Sequence, residues 1–304
     1  MSQPPRKTAR DFDPDVLELF DQYVHGAIDR RGFLSGAARV AGAAGAAGLL
    51  AALTPQFAQA QQIAPDDARL ATSYEAFDAP AGNGRGRGYL AQPADATGPL
   101  PLVLVVHENR GLNPHIEDVT RRIALAGYRA FAPDALFPLG GYPGDEDRAR
   151  ALFATLDQDK ARQDFIAAAG WLLAREGGNG RIGVVGFCYG GGMANYLAAK
   201  VPSLRAAAPF YGPAAPLEDV PAIEAELLVV LAANDARVNA QWPDYEAALH
   251  AADVTYTLFQ PAGTEHGFNN DTTPRYDEAA AAEAWSKMLA LFARTLQTPA
   301  PAAT

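Results

Sequence analysis

The chain has 304 residues, of which 49% are hydrophobic and 20% charged, with a net charge of −10. That composition excludes the disordered regime and supplies enough apolar material for a sizeable core. An acidic chain without a basic block argues against nucleic acid as a partner, and a single cysteine excludes an internal disulfide.

The chain opens with a stretch that reads as an address. Over residues 11–28, Leu17, Leu19, Phe20, Tyr23 and Val24 form the pattern of a short amphipathic helix. Asp29-Arg30-Arg31-Gly32-Phe33-Leu34 then places a twin-arginine pair before an uncharged Ala/Gly/Leu run from Val40 to Leu53. Ala58-Gln59-Ala60 follows as a small-x-small site. Charged, apolar and cleavage regions in that order predict a Tat-type export signal, recognition by the Tat machinery, cleavage after Ala60 and a periplasmic product. The apolar run is about 14 residues and Gly-rich, which is short for a membrane span, and no stable span is expected after processing. Residues 1–60 therefore form the export region, 61–297 one domain, and 298–304 a Pro/Ala-rich, disordered tail.

Within the domain, strands and helices alternate. Tyr74 to Phe77 and Gly86 to Ala91 read as strands around a Gly-rich turn. Leu102 to His107 is an unbroken apolar, β-branched run, as a strand buried on both faces requires. Ile116 to Ala126 has helical spacing, and Tyr128 to Ala132 is a strand stopped by Pro133. Leu136 to Asp147 reads as a loop and Arg148 to Leu173 as mostly helical. Ile182 to Phe187 is a strand and Gly191 to Lys200 a helix. Ala206 to Tyr211, Leu227 to Ala232 and Thr255 to Phe259 are further strands, with helices at Trp242 to Ala251 and Tyr276 to Leu296. This alternation predicts an α/β-hydrolase type of fold, a mostly parallel sheet with helices on both faces.

Gly186-Phe187-Cys188-Tyr189-Gly190-Gly191 joins a strand to a helix. Gly-x-nucleophile-x-Gly at such a junction is the nucleophile-elbow pattern, with Cys in place of Ser. The glycines remove bulk two residues either side of a strained turn, and the helix N-terminus behind the sulfur favours thiolate. Asp235 follows the Leu227 strand, and His266 lies between the last strand and the last helix. Nucleophile, acid and histidine in that order predict a triad: Cys188 attacks, His266 is the base, and Asp235 orients it. His107-Glu108-Asn109-Arg110-Gly111 closes the Leu102 strand, so the backbone N–H groups of Asn109 and Tyr189 are the candidate oxyanion donors. Glu108 beside a thiolate should repel it unless it carries a proton or takes one from sulfur.

Taken together, these motifs resemble the dienelactone hydrolase (carboxymethylenebutenolidase) family over residues 70 to 297. The matching segments are His-Glu-Asn-Arg-Gly-Leu at 107, Ala-Pro-Asp at 132, Gly-Phe-Cys-Tyr-Gly-Gly at 186, Asn-Asp-x-x-Val at 234 and Glu-His-Gly-Phe at 265. The resemblance implies hydrolysis of a lactone or carboxylic ester through an acyl-enzyme on Cys188, without metal or organic cofactor. It implies that Glu108 takes the thiol proton. It also implies two substrate-clamping arginines, and here the chain departs. One position holds Glu146, with Arg148 and Arg150 nearby, and the other holds Asn270. An amide is a poor substitute for a bidentate guanidinium, so the reaction class transfers better than the anionic substrate.

Further candidates for the pocket are Arg148, Arg150, Phe137, Tyr142, Phe268 and Asn270, with Tyr211 at its border. His107 and His115 read as structural, and no metal cluster is evident from spacing. His25, ahead of the expected cleavage site, and His250, on a helix, are assigned no role. Two other readings are a catalytically silent relative that binds small molecules and a redox-responsive thiol protein; the full triad pattern and the lack of a resolving cysteine weigh against them.

Overall fold

A computed structural model of the chain describes residues 7–297; the tail expected to be disordered lies outside them. The amino-terminal region contains α1 (Pro14–Val24), α2 (Arg30–Leu53) and the single turn α3 (Phe57–Ala60). Then follow β1 (Leu70–Ala79), β2 (Gly84–Pro93), β3 (Leu100–Val106), α4 (Pro114–Leu125) and β4 (Arg129–Pro133). The middle of the chain forms α5 (Glu146–Phe153), α6 (Gln158–Leu173), β5 (Gly178–Phe187), α7 (Tyr189–Lys200) and β6 (Leu204–Phe210). The chain continues through β7 (Glu226–Val230), α8 (Ala236–Asn239), α9 (Trp242–Ala251), β8 (Tyr256–Phe259) and α10 (Glu278–Leu296).

The eight strands form one sheet in the order β1-β2-β4-β3-β5-β6-β7-β8. β1, β2 and β4 pair antiparallel in succession, and every pair from β4 through β3 to β8 is parallel. The apolar run of β3 explains its central place, because its alternate residues serve two cores. Leu102, Leu104 and Val106 join α6 and α7 on one face, while Val103 and Val105 join α4 and α10 on the other. The expected strands and helices all occur, and most strands run somewhat longer than their apolar patterns. The long middle helix is two helices. Asp157 ends the continuity by accepting the Asp159 and Lys160 N–H groups as the N-cap of α6.

α1 and α2 build a small core of their own, with Phe12, Val16, Phe20, Tyr23, Phe33, Ala37 and Leu50 among its buried members. Asp13 and Asp29 cap the two helices. α2 begins at Arg30 rather than near Val40, because the Asp29 cap adds the arginine turn to the apolar run. At 24 residues it is long and apolar enough to cross a membrane, a property that signal sequences share. Gly42, with φ 71°, kinks it.

Candidate active site

β5 runs straight into α7 through Cys188, whose φ of 55° and ψ of −112° are strained for a residue with a Cβ. The flanking glycines are obligatory in this geometry. A Cβ on Gly186 would sit 1.9 Å from the Gly190 carbonyl oxygen, and one on Gly190 would sit 2.3 Å from the Val106 carbonyl oxygen. The Cys188 N–H donates to the Phe210 carbonyl at 3.0 Å, locking the turn against β6. The sulfur is thereby raised at the carboxyl end of the sheet, in front of the α7 N-terminus.

Beyond β7, Asp235 caps α8, its Oδ1 accepting the Val238 N–H at 3.1 Å. Its Oδ2 lies 2.5 Å from His266 Nδ1. A carboxylate can only accept, so Nδ1 carries the proton and Nε2 keeps its lone pair. The two loops are tied together: Thr264 accepts the Ala233 N–H on its hydroxyl and the Asn234 N–H on its carbonyl. Burial opposes ionisation of Asp235, but the facing His266 holds its carboxyl below the ordinary value.

His107, Glu108 and Asn109 leave the end of β3. His107 is fully buried; its Nε2 accepts the Ala135 N–H at 3.1 Å and its Nδ1 donates to the Glu108 carbonyl at 2.6 Å. Burial lowers its pKa, as expected of a neutral structural imidazole. His115 is buried against Asp271. Glu108 accepts the Asn270 amide at 2.9 Å, and Asn109 donates its side-chain amide to the carbonyl of Val24.

That last bond belongs to the amino-terminal segment, which lies across the mouth of the site. Tyr23 donates to Asp147, Arg30 pairs with Asp147 at 2.8 Å, and Arg150 donates to the Tyr23 carbonyl at 2.5 Å. Between this cap and the hydrolase body lies a cavity of about 470 Å³ that reaches Cys188 and His266. His25, just past the C-terminus of α1, enters it. Its Nε2 stands 3.4 Å from Cys188 Sγ, and its ring meets that of His266 edge-on at 4.6 Å between centroids. Spacing gave no hint of this; the available signal was Asp21 four residues before His25 on one helical face. The donor atoms of His25, Cys188 and His266 all lie within 4.8 Å of one another. Among the described residues this is the set that converges closely enough to grip an ion, a convergence invisible in the sequence. The same convergence suits a thiolate held between two imidazoles. Burial alone would push the Cys188 thiol up, but charge on His266 and the hydrogen bond to His25 bring it down from 9.0 to about 5.

Of the residues expected to line the pocket, Tyr142, Asn270, Glu108 and Asn109 do so. Arg148, Arg150, Phe137 and Phe268 are not among the lining residues. Arg148 is exposed on the first turn of α5. Arg150 is spent on Tyr23, over whose ring it also lies at 4.1 Å. Phe268 is fully buried against Tyr211. Glu146, at one of the two departures, accepts the Tyr142 hydroxyl and faces Arg110.

Sheet order, elbow and the Asp–His pair on successive loops define an α/β-hydrolase. Residues 87–296 match the sequence model of the dienelactone hydrolase family, and residues 3–42 match a second model described as YqhI-like. An Escherichia coli protein named "Putative hydrolase fragment YghX" is 50% identical over 105 residues, 34% of this chain and 90% of that one. A second E. coli protein, named "Putative carboxymethylenebutenolidase", is 32% identical over 219 residues, 67% of this chain and 80% of that one. The crystal structure of a Klebsiella pneumoniae protein described as a "Putative Dienelactone Hydrolase" superposes with a TM-score of 0.64 at 30% identity, covering 74% of this chain and 99% of that one. The chain belongs to the dienelactone hydrolase family and is a hydrolase of that type.

Proposed function

We propose that the protein cleaves a neutral carboxylic ester or lactone through a thioester on Cys188. The observation that carries this reading is the strained sulfur at the elbow beside a His266–Asp235 pair at 2.5 Å. The thiolate adds to the carbonyl carbon, and the oxyanion is taken by the backbone N–H groups of Tyr189 and Asn109. Collapse breaks the carbon–oxygen bond, and an imidazolium protonates the departing alkoxide. Water then attacks the thioester with His266 as base, releasing the acid and regenerating the thiolate.

The charge balance of the cavity supports a neutral substrate. Each arginine on its wall already has a carboxylate: Arg30 has Asp147, Arg110 has Glu146 and Arg275 has Asp21. We further propose export by the Tat route, supported by the twin arginines before an apolar helix of spanning length.

The test is hydrolysis of p-nitrophenyl acetate and of dienelactone by wild type, Cys188→Ala and Cys188→Ser. Turnover is expected in wild type and lost in Cys188→Ala. Turnover that survives Cys188→Ala removes the mechanism, and a wild type inert towards esters and lactones alike favours a silent binding protein.

A further inference from the structure

We propose that His25, oriented by Asp21, is a second catalytic histidine on Cys188: it takes the thiol proton in the resting enzyme and returns it to the leaving group. The inference rests on Cys188 being the nucleophile. It makes the amino-terminal segment a working wall of the active site.

The geometry is that of a second His–Asp pair. His25 Nδ1 lies 2.8 Å from the Asp21 carbonyl oxygen and 3.2 Å from its Oδ2. Both partners can only accept, so Nδ1 carries the proton and the Nε2 lone pair faces the sulfur. His266 Nε2, by contrast, has no hydrogen-bond partner among the described residues. The short hydrogen bond to the sulfur is with His25 at 3.4 Å, His266 acting on it chiefly through charge, while Glu108, the expected proton acceptor, is held by Asn270. The order Asp21–His25–Cys188–His266–Asp235 brings two adjoining imidazoles, each with its own aspartate, to one sulfur.

Two histidines allow a division of labour that conserves protons. The thiol proton moves to His25 Nε2, giving thiolate and imidazolium. When the thiolate has displaced the alkoxide from the acyl carbon, His25 gives that proton to the alkoxide and is neutral again. His266 then takes a proton from water as hydroxide adds to the thioester. The acid leaves with its own proton, which goes to solvent, and the proton on His266 passes to His25, restoring the resting pair. The charged groups around His25 are Asp21, Cys188, His266, Arg275 through Asp21, and Arg237, whose exposed guanidinium lies 3.1 Å from Nε2. Arg237 can donate only to the neutral ring, so protonation of Nε2 requires that contact to break. Burial disfavours the imidazolium, but Asp21 and the sulfur outweigh it and raise the His25 pKa to about 10.

The test uses the full chain and three variants: His25→Gln, His25→Ala and Asp21→Asn. Cys188 is the sole cysteine, so iodoacetamide reports on it alone. Stopped-flow release of phenol from phenyl acetate, whose leaving group takes up a proton, separates acylation (the burst) from deacylation (the steady state). In His25→Gln the acylation rate should fall about a hundredfold, with deacylation much less affected. Its alkylation profile should move to higher pH. Asp21→Asn should lose about tenfold in the same step, since it removes only the orienting carboxylate. Added imidazole should restore acylation in His25→Ala, a rescue that no packing role would give. Unchanged acylation and alkylation in both His25 variants overturns the proposal, and faster acylation overturns it in favour of a plug. If wild type hydrolyses no ester, the alkylation profiles still decide the His25–thiol pair, so the two readings fail separately.

Discussion

His25 Nε2 stands 3.4 Å from Cys188 Sγ across 163 positions of sequence. A residue of the amino-terminal region thus touches the sulfur proposed as the nucleophile. The amino-terminal helices are held there by the pairing of Arg30 with Asp147, the Asn109 bond to Val24, and the Arg150 bond to Tyr23.

This contact has a consequence for processing. Cleavage after Ala60 would remove Asp21, His25 and one side of the cavity. The enzymatically active protein is therefore expected to retain residues upstream of His25. Intact mass and N-terminal sequencing of purified, active protein check this; an active product starting at Gln61 would show that the segment is dispensable.

The thiol should titrate far below an ordinary cysteine. Its pKa falls to about 5, so thiolate persists above that pH and is lost by protonation as pH drops through it. Alkylation by iodoacetamide should be nearly flat from pH 6 to 8, where an unperturbed thiol with a pKa of roughly 8.5 would still be climbing. A profile still rising at pH 8 would contradict the ion-paired sulfur.

Asp235→Asn keeps the size of the side chain but removes the carboxylate that fixes the His266 tautomer at 2.5 Å. The expected cost is about a thousandfold in kcat, with little change in melting temperature. Steady-state kinetics beside a thermal melt separate this from unfolding.

Gly190→Ala tests the elbow. The added methyl group would meet the Val106 carbonyl oxygen at 2.3 Å, which is backbone and cannot swing away. A loss of about 3 kcal/mol is expected, or roughly 10 °C in Tm. A variant with wild-type stability and activity would show that the turn is looser than described.

The paired arginines of the cavity lead to a substrate prediction. For matched esters, kcat/KM should be at least about tenfold higher for the neutral acyl group than for one carrying a carboxylate, since a like-charged or unpaired ion costs more than a kcal/mol to seat. Freeing a guanidinium by Asp147→Asn should narrow that ratio. A preference for the anionic ester in the wild type would return the substrate to the anionic type.

By itself the sequence determined the local rules. An apolar, β-branched run placed β3 inside the sheet, because only strands covered on both faces lack polar alternation. Glycines two before and two after Cys188 marked the elbow, because the steric need is local. The order Cys188, Asp235, His266 was readable since each follows its own strand. What tertiary structure alone decided is whatever depends on packing between distant segments. It turned Arg150 to Tyr23, enclosed Phe268 against Tyr211 and gave Glu108 to Asn270. Above all it brought His25 to Cys188. Nothing in the spacing of Asp21 and His25 says which surface α1 will meet; that was settled by the apolar face the two amino-terminal helices share and by the partners waiting at the mouth of the cavity.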